Sequence, residues 1–429
     1  MARPTSPHPR FTPWFLHPER RLTIHPFRAI CSAYPMRSLT KPSPKTIRVC
    51  YLTPKFNPFI GGAQVSLERI VQGFKGTKVQ PILLTSHVDA DGSLLKGATL
   101  RTRNKVLIGA PAKVPFAPFE RWFAYVIPQL IDELELQHKV DVIYLSGNSF
   151  LQQPAHIKRI FALQKPVILK ITFPAEFERM KECQKLLLSS RCAPLLSIHC
   201  ISREIEKRAL AFGFTQEQLF RCPNPIETSS LRLKKRSDRE FLAQKFTCAK
   251  DDIYLFTGRF VDDKNIPQLI EIFTELEQKK KNVTLFMIGY FAQPDLEEQI
   301  RALQNRSPKI HWLGQIPHKD IPKYVRAADY FFMASKNEGL SNSLLEAMAS
   351  GVCPVVPESI SSIEDLIADG KEGVLYNLHQ TTKLVDRLSK LKRTESITMG
   401  KNARRHIREK CELTKVLKAH EGFYRKVIL

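Results

Sequence analysis

The chain has 429 residues, 43% apolar and 25% charged, with a formal net charge of +24. Its length allows two domains with separate cores, and its apolar fraction is that of an ordinary globular protein, so only the charge stands out. No apolar run reaches the ~18–20 residues of a membrane-spanning helix. The nine cysteines show neither C-x-x-C pairs nor zinc-type His spacing, which excludes a disulfide framework and a structural zinc site and points to a reducing compartment.

Residues 1–45 contain nine prolines and eight Lys/Arg against one acid, Glu19. Such a segment has too little to bury and is expected to be a disordered basic tail. A targeting segment, or a true start at Met36, would leave the same signature. From Thr46 onward, short apolar runs alternate with amphipathic stretches of helix length. "IRVCYL" (47–52) reads as a buried strand, and Leu67, Ile70, Val71 and Phe74 then share one face of a helix that follows Gly61 and Gly62. "VQPILLT", "VDVIYLS", "PVILKIT" and "LLSIHCIS" are further strands, with helices expected near 120–138, 150–163, 176–190 and 203–212. After a polar, basic stretch at 227–246 the pattern restarts with "IYLFTG", "VTLFMIG", "KIHWLG", "YFFMAS", "VCPVV" and "GVLYN", and a basic helical stretch closes the chain at about 396–427. Near-continuous apolar strands between helices predict parallel sheets covered on both faces, hence an α/β chain of two doubly wound, Rossmann-like domains. Ligands of such pairs sit in the cleft, at the C-terminal ends of the strands.

The loops at those ends carry the candidate chemistry. Gly61 and Gly62 let a backbone approach an anion at a helix N-terminus, or form a plain connector; the spacing is not that of a dinucleotide fingerprint. Arg259 and Lys264 follow the first strand of the second set and either neutralise a diphosphate or answer Asp262 and Asp263. "RCPNPIE" (221–227) reads as a Pro-rich linker. Glu338 and Glu346 stand eight positions apart, a Cα separation of ~12 Å if helical. That weakens a glycosidase pair, whose carboxyls stand ~5–9.5 Å apart. Ser343 and Glu346 fit a capping box, with Gly351 as the helix stop. Phe116, Phe119, Arg121, Trp122 and Phe123 form either the core face of an amphipathic helix or a membrane-touching patch. The charge excess outside the tail suits a polyanion, an anionic lipid surface or a phosphorylated substrate, or reflects a solvated surface alone. No nucleic-acid-binding signature accompanies it, so no specific nucleic acid is expected.

Taken together and in order, Gly61-Gly62, Pro223-Asn224, Arg259 with Lys264, and "EGLSNSLLEAMASG" from Glu338 to Gly351 resemble the retaining GT-B glycosyltransferases of family 4. The resemblance covers about 46–429 and is strongest over 253–375. It implies an acceptor domain at 46–225, a nucleotide-sugar donor domain at 226–395 and a C-terminal helix at 396–429 returning toward the first domain. It further implies a hexosyltransferase that keeps the anomeric configuration. No cofactor and no catalytic metal are implied; the donor is a UDP- or GDP-sugar and the acceptor a glycan or lipid-linked hydroxyl. By that likeness Arg259, Lys264 and Glu338 serve catalysis, the cations on the diphosphate and Glu338 on the sugar hydroxyls. Gly61, Gly62, Gly339, Leu340 and Ser341 bind the donor, and Glu346 takes the ribose. Cell-surface polysaccharide or glycolipid synthesis, in the cytoplasm or on the inner membrane face, is the implied setting. One departure matters: where the family often has a cleft histidine, "DVIYLS" places Ser146, which can touch sugar or acceptor but carries no charge at neutral pH. His156, His199, His311 and His318 lie elsewhere. That departure keeps a second reading open, a non-catalytic sugar-nucleotide-binding module.

Overall fold

The computed structural model describes residues 46–53, 61–86, 107–110, 140–229, 231, 236–291, 295–305 and 307–429. The tail, the helix expected at 120–138 and the aromatic patch at 116–123 lie outside the described residues. The described part belongs to one compact unit, Pro44–Leu429.

The first sheet is parallel throughout, in the order β3-β2-β1-β4-β5-β6-β7. Its strands are β1 (Ile47–Thr53), β2 (Val79–Ser86), β3 (Leu107–Ala110), β4 (Val142–Ser146), β5 (Val167–Ile171), β6 (Leu196–Cys200) and β7 (Leu219–Arg221). The second sheet is also parallel, in the order β10-β9-β8-β11-β12-β13. It comprises β8 (Asp252–Thr257), β9 (Val283–Ile288), β10 (Ile310–Trp312), β11 (Tyr330–Phe332), β12 (Cys353–Pro357) and β13 (Val374–Tyr376). Strands β1, β4, β5 and β8 have almost every residue buried, as sheets covered on both faces require. In both sheets the strand order reverses beside the first strand, between β1 and β4 and between β8 and β11. These are the two switch points, where open α/β sheets hold ligands.

Several elements differ from expectation. The short edge strands β3 and β7 were not anticipated. The expected helix over 176–190 is instead two single turns, 176–179 and 184–187, with a 3-10 turn at 181–183 between them. The stretch expected to be helical from 150 opens with a 3-10 turn at 148–151, and Pro154 then starts the helix proper, ending at Ala162.

The terminal stretch is two helices, Arg393–Lys410 and Leu413–Ile428, broken at Cys411-Glu412. At that break the chain pairs with the earlier crossing segment: Ile226 N–H donates to Cys411 O at 2.8 Å and Leu413 N–H to Ile226 O at 2.9 Å. The last helix packs on the first sheet. Val416, Phe423 and Tyr424 join Ile47, Val49, Tyr51, Leu67 and Ile70 in one buried cluster, and the Tyr51 and Tyr424 hydroxyls are hydrogen-bonded at 2.9 Å.

Candidate active site

The helix α1 (Gly62–Gly73) follows β1, with Gly61 as an extended N-cap and no side-chain cap or acidic residue in its first turn. Its amides are therefore left for another acceptor. Facing it is α2 (Asn342–Ala349), and Asn342 Nδ2 donates to Gly62 O at 2.5 Å. Between the two halves, Gly339 passes so close to Thr172 that a Cβ would collide with the Thr172 carbonyl. Only glycine fits this close approach.

At the second switch point, Lys264 ends a 3-10 turn after β8 and its Nζ is bonded to Glu338 Oε2, in the loop after β11. Burial, with the Arg259 charge nearby, lowers the Lys264 ammonium to about 8, while the nearby Asp263 carboxylate favours its charged form. Arg259 is exposed beside it. The direct bond of Lys264 thus goes to Glu338, with Asp263 only a nearby charge. Asp263 instead accepts from Asn337 Nδ2 at 3.3 Å, and its carbonyl accepts from Lys336 N–H.

Glu346 is buried on α2, and its Oε1 takes Arg69 Nη2 at 2.5 Å from α1, with His318 Nε2 at 3.6 Å. Burial works to raise this carboxyl, but His318 and Arg69 hold it below the usual carboxylate range. The same contact raises His318. The capping-box expectation is corrected here. The N-cap is Ser341, whose hydroxyl accepts from Leu344 N–H at 3.4 Å, so Ser343 is already the second residue of the helix and Glu346 is left to reach Arg69 of the first half. At the other end Gly351 adopts φ 76°, with Gly351 N–H to Met348 O and Val352 N–H to Ala347 O, a Schellman stop. Glu338 and Glu346 answer different cations, which is not how a carboxylate pair flanking one bond is built.

The backbone of 339–341 is held from behind. Ser362 Oγ donates to Gly339 O at 2.8 Å and Asn224 Nδ2 to Leu340 O at 3.1 Å. Asn224 sits in the stretch read as a plain linker, yet it is buried and accepts at Oδ1 from Lys170 Nζ at 2.9 Å and Ser66 Oγ at 2.8 Å. Ser146 ends β4 at the first switch point, buried, with Lys170 as its register partner on β5. Lys170, Ser66, Arg69 and His318 were not singled out as site residues from the sequence. The one signal for any of them is a lysine inside the otherwise apolar run "VILKI".

Among the described residues, His199, Cys222 and His420 bring ligand-type atoms within 4.8 Å of one another. The hydrogen bonds argue against a ligand set. Cys222 O can only accept, so the His199 Nε2 at 2.8 Å is its protonated nitrogen, and His199 Nδ1 accepts from Tyr144 OH at 2.6 Å. Burial and the Lys170 charge lower His199 to about 3. Both His199 nitrogens are committed, and the trio is a neutral, packed core.

The family model described as Glycosyl transferases group 1 matches residues 238–410, the span that holds Arg259, Lys264, Glu338 and Glu346. Capsular polysaccharide biosynthesis glycosyltransferase CapM of Staphylococcus aureus is 22% identical over 233 residues, 53% of this chain and 60% of that protein. Alpha-monoglucosyldiacylglycerol synthase of Acholeplasma laidlawii is 23% identical over 188 residues, 42% of this chain and 46% of that protein. The matches therefore span less than two thirds of either relative. Anabaena Alr3699/HepE, solved in complex with UDP and glucose, superposes with a TM-score of 0.69 at 15% identity, covering 89% of this chain and 100% of that one. Sucrose-phosphate synthase of Thermosynechococcus elongatus gives 0.72 at 14%, covering 89% and 99%. Residues 238–410 are thus a glycosyl transferases group 1 domain, carried on a chain of GT-B fold.

Proposed function

We propose that this chain moves a sugar from a nucleotide-sugar donor to a hydroxyl acceptor with retention of anomeric configuration. The observation that carries the reading is the meeting of Lys264 with Glu338 at the β8/β11 switch point. A cation for a diphosphate and a carboxylate for sugar hydroxyls stand together where this fold takes ligands. Arg259 and Lys264 would stabilise the departing nucleotide diphosphate, a preorganised positive charge that asks for no metal. Glu338, with the amides of Gly339, Leu340 and Ser341, would hold the sugar. Glu346 would receive the ribose on Oε2, since Arg69 and His318 occupy Oε1. The bare N-terminus at Gly61 and Gly62 would face the phosphates, and Ser146 the sugar or acceptor.

The neighbour solved with UDP and UDP-glucose supports a uridine donor, with a GDP-sugar as the alternative. The capsular and glycolipid relatives support a glycan or lipid-linked acceptor. No helix among the described residues is long and apolar enough to cross a membrane. The +24 charge supports peripheral attachment to an anionic, cytoplasm-facing membrane surface.

Incubation with UDP- and GDP-sugars and a cell-envelope lipid or glycan extract tests this. The expected result is nucleotide release with a product of the donor's anomeric configuration, undiminished by a chelator. Binding by calorimetry without release in every combination would overturn it in favour of the non-catalytic module that Ser146 suggests.

A further inference from the structure

Lys170 is costly where it stands. It is the fourth residue of β5, 1% exposed, and a buried ammonium is tolerated only when its donors are satisfied. Among the described residues no carboxylate touches it: Nζ bonds to Ser66 Oγ and Asn224 Oδ1, both at 2.9 Å. An ammonium can donate but never accept. It therefore fixes which end of the Asn224 amide faces the first sheet, and so turns Nδ2 toward Leu340 O at 3.1 Å. A hydroxyl alone, able to donate or accept, would permit the flipped amide. The peptide is planar and trans, so holding the Leu340 carbonyl back aims the Ser341 N–H the opposite way. Ser362 does the same for the Gly339 carbonyl and the Leu340 N–H. One helical turn after Ser66, Arg69 donates from Nη1 to Pro225 O at 3.3 Å and from Nη2 to Glu346 Oε1. Two cations of the first half thus grip consecutive residues of the crossing segment, and each ends on a group of the donor site.

We propose that Lys170 and Arg69 are positioning residues that brace the Asn224-Pro225 crossing and, through it, set the donor-facing amides of 339–341 and the Glu346 carboxylate. The proposal rests on the donor-binding reading above, and neither residue touches the donor in it.

Calorimetric titration of the full chain with UDP and with GDP at neutral pH, alongside thermal unfolding without nucleotide, tests the brace. Asn224→Asp keeps an acceptor for Lys170 but cannot donate to Leu340. Lys170→Met removes the obligate donor and leaves an apolar side chain beside Ser66 and Asn224, whose own hydrogen bond at 2.8 Å keeps the Asn224 oxygen satisfied, a change that buried cations often tolerate. Each variant is expected to lose roughly tenfold in affinity for whichever nucleotide the wild type takes, with an unfolding temperature no lower than wild type. The double variant should lose no more than either single one, because both break one linkage. Arg69→Gln should weaken the same nucleotide through Glu346. If Lys170→Met does not fold, Asn224→Asp carries the test alone. Unchanged affinity in the folded variants, or additive losses in the double, overturns the brace. A wild type that binds neither nucleotide overturns the donor reading, and the brace with it.

Discussion

Lys264 and Lys170 are both pulled down to about 8 by burial, yet they do opposite things. Lys264 stands at the mouth of the second sheet, with Arg259 repelling it and the Glu338 carboxylate bonded to it. Lys170 lies inside the first sheet, held by a hydroxyl and an amide, with Glu176 acting only as a more distant charge that favours its ammonium. In the proposed reading the partner of Lys264 itself binds the donor sugar and would share the ammonium with an arriving phosphate. The partners of Lys170 are fixed and can be traded for nothing. Equal shifts therefore mark different roles, and what separates them is the nature of the partner.

The sharpest way to break the comparison is to remove each lysine in turn. Lys264→Ala should cut turnover by about 10²-fold or more, the scale of losing one preorganised charge at a developing anion. Lys170→Met should act through donor affinity alone. Equal losses of kcat in both would erase the distinction.

The next effect is in stability against pH. The folded Lys170 titrates near 8 and the unfolded one near 10.5, so the unfolded chain holds the extra proton between those values. The cost of the buried ammonium is complete below pH 8 and is relieved as pH rises toward 10.5. Relative to Lys170→Met, the wild type should gain about 3 kcal/mol across that window. Cys222 feels the Lys170 charge, but burial holds it near 12, above this window, so the buried thiols and phenols cancel in the comparison. Denaturant unfolding at pH 7.5–10.5 reads the difference, and a constant gap would refute the assignment.

The smallest effect sharpens the opposing end of the site. Ser341→Ala should cost ~1 kcal/mol of stability as a lost helix cap, and Ser343→Ala clearly less. The reverse order would restore the capping box.

All six strands of the second sheet were legible, because each is an apolar run set off by polar or helical stretches. In the first sheet β3 and β7 were not: each is an edge strand defined by pairing with one neighbour, and β7 offers only Leu219 and Phe220 as an apolar run. The motif residues were legible through a family resemblance, with Lys264 and Glu338 meeting across 74 positions. Arg69 was invisible because its partner lies 277 positions away, and nothing local marks an arginine on a helix as one that will reach a buried carboxylate. The S-x-x-E pattern misled because Ser341 competes for the same cap and starts the helix earlier.

The paired crossings at Ile226 and Cys411–Leu413 have a consequence for dissection and for motion. The chain passes between its halves twice, side by side, and its last helix supplies Val416, Phe423 and Tyr424 to the first half's core. The first half is therefore assembled from both ends of the sequence, and a fragment ending at 225 would be missing one wall. A single connecting strand would let the halves swivel freely. Two segments bonded to each other, as Ile226 is to Cys411 and Leu413, resist such twisting more than one would.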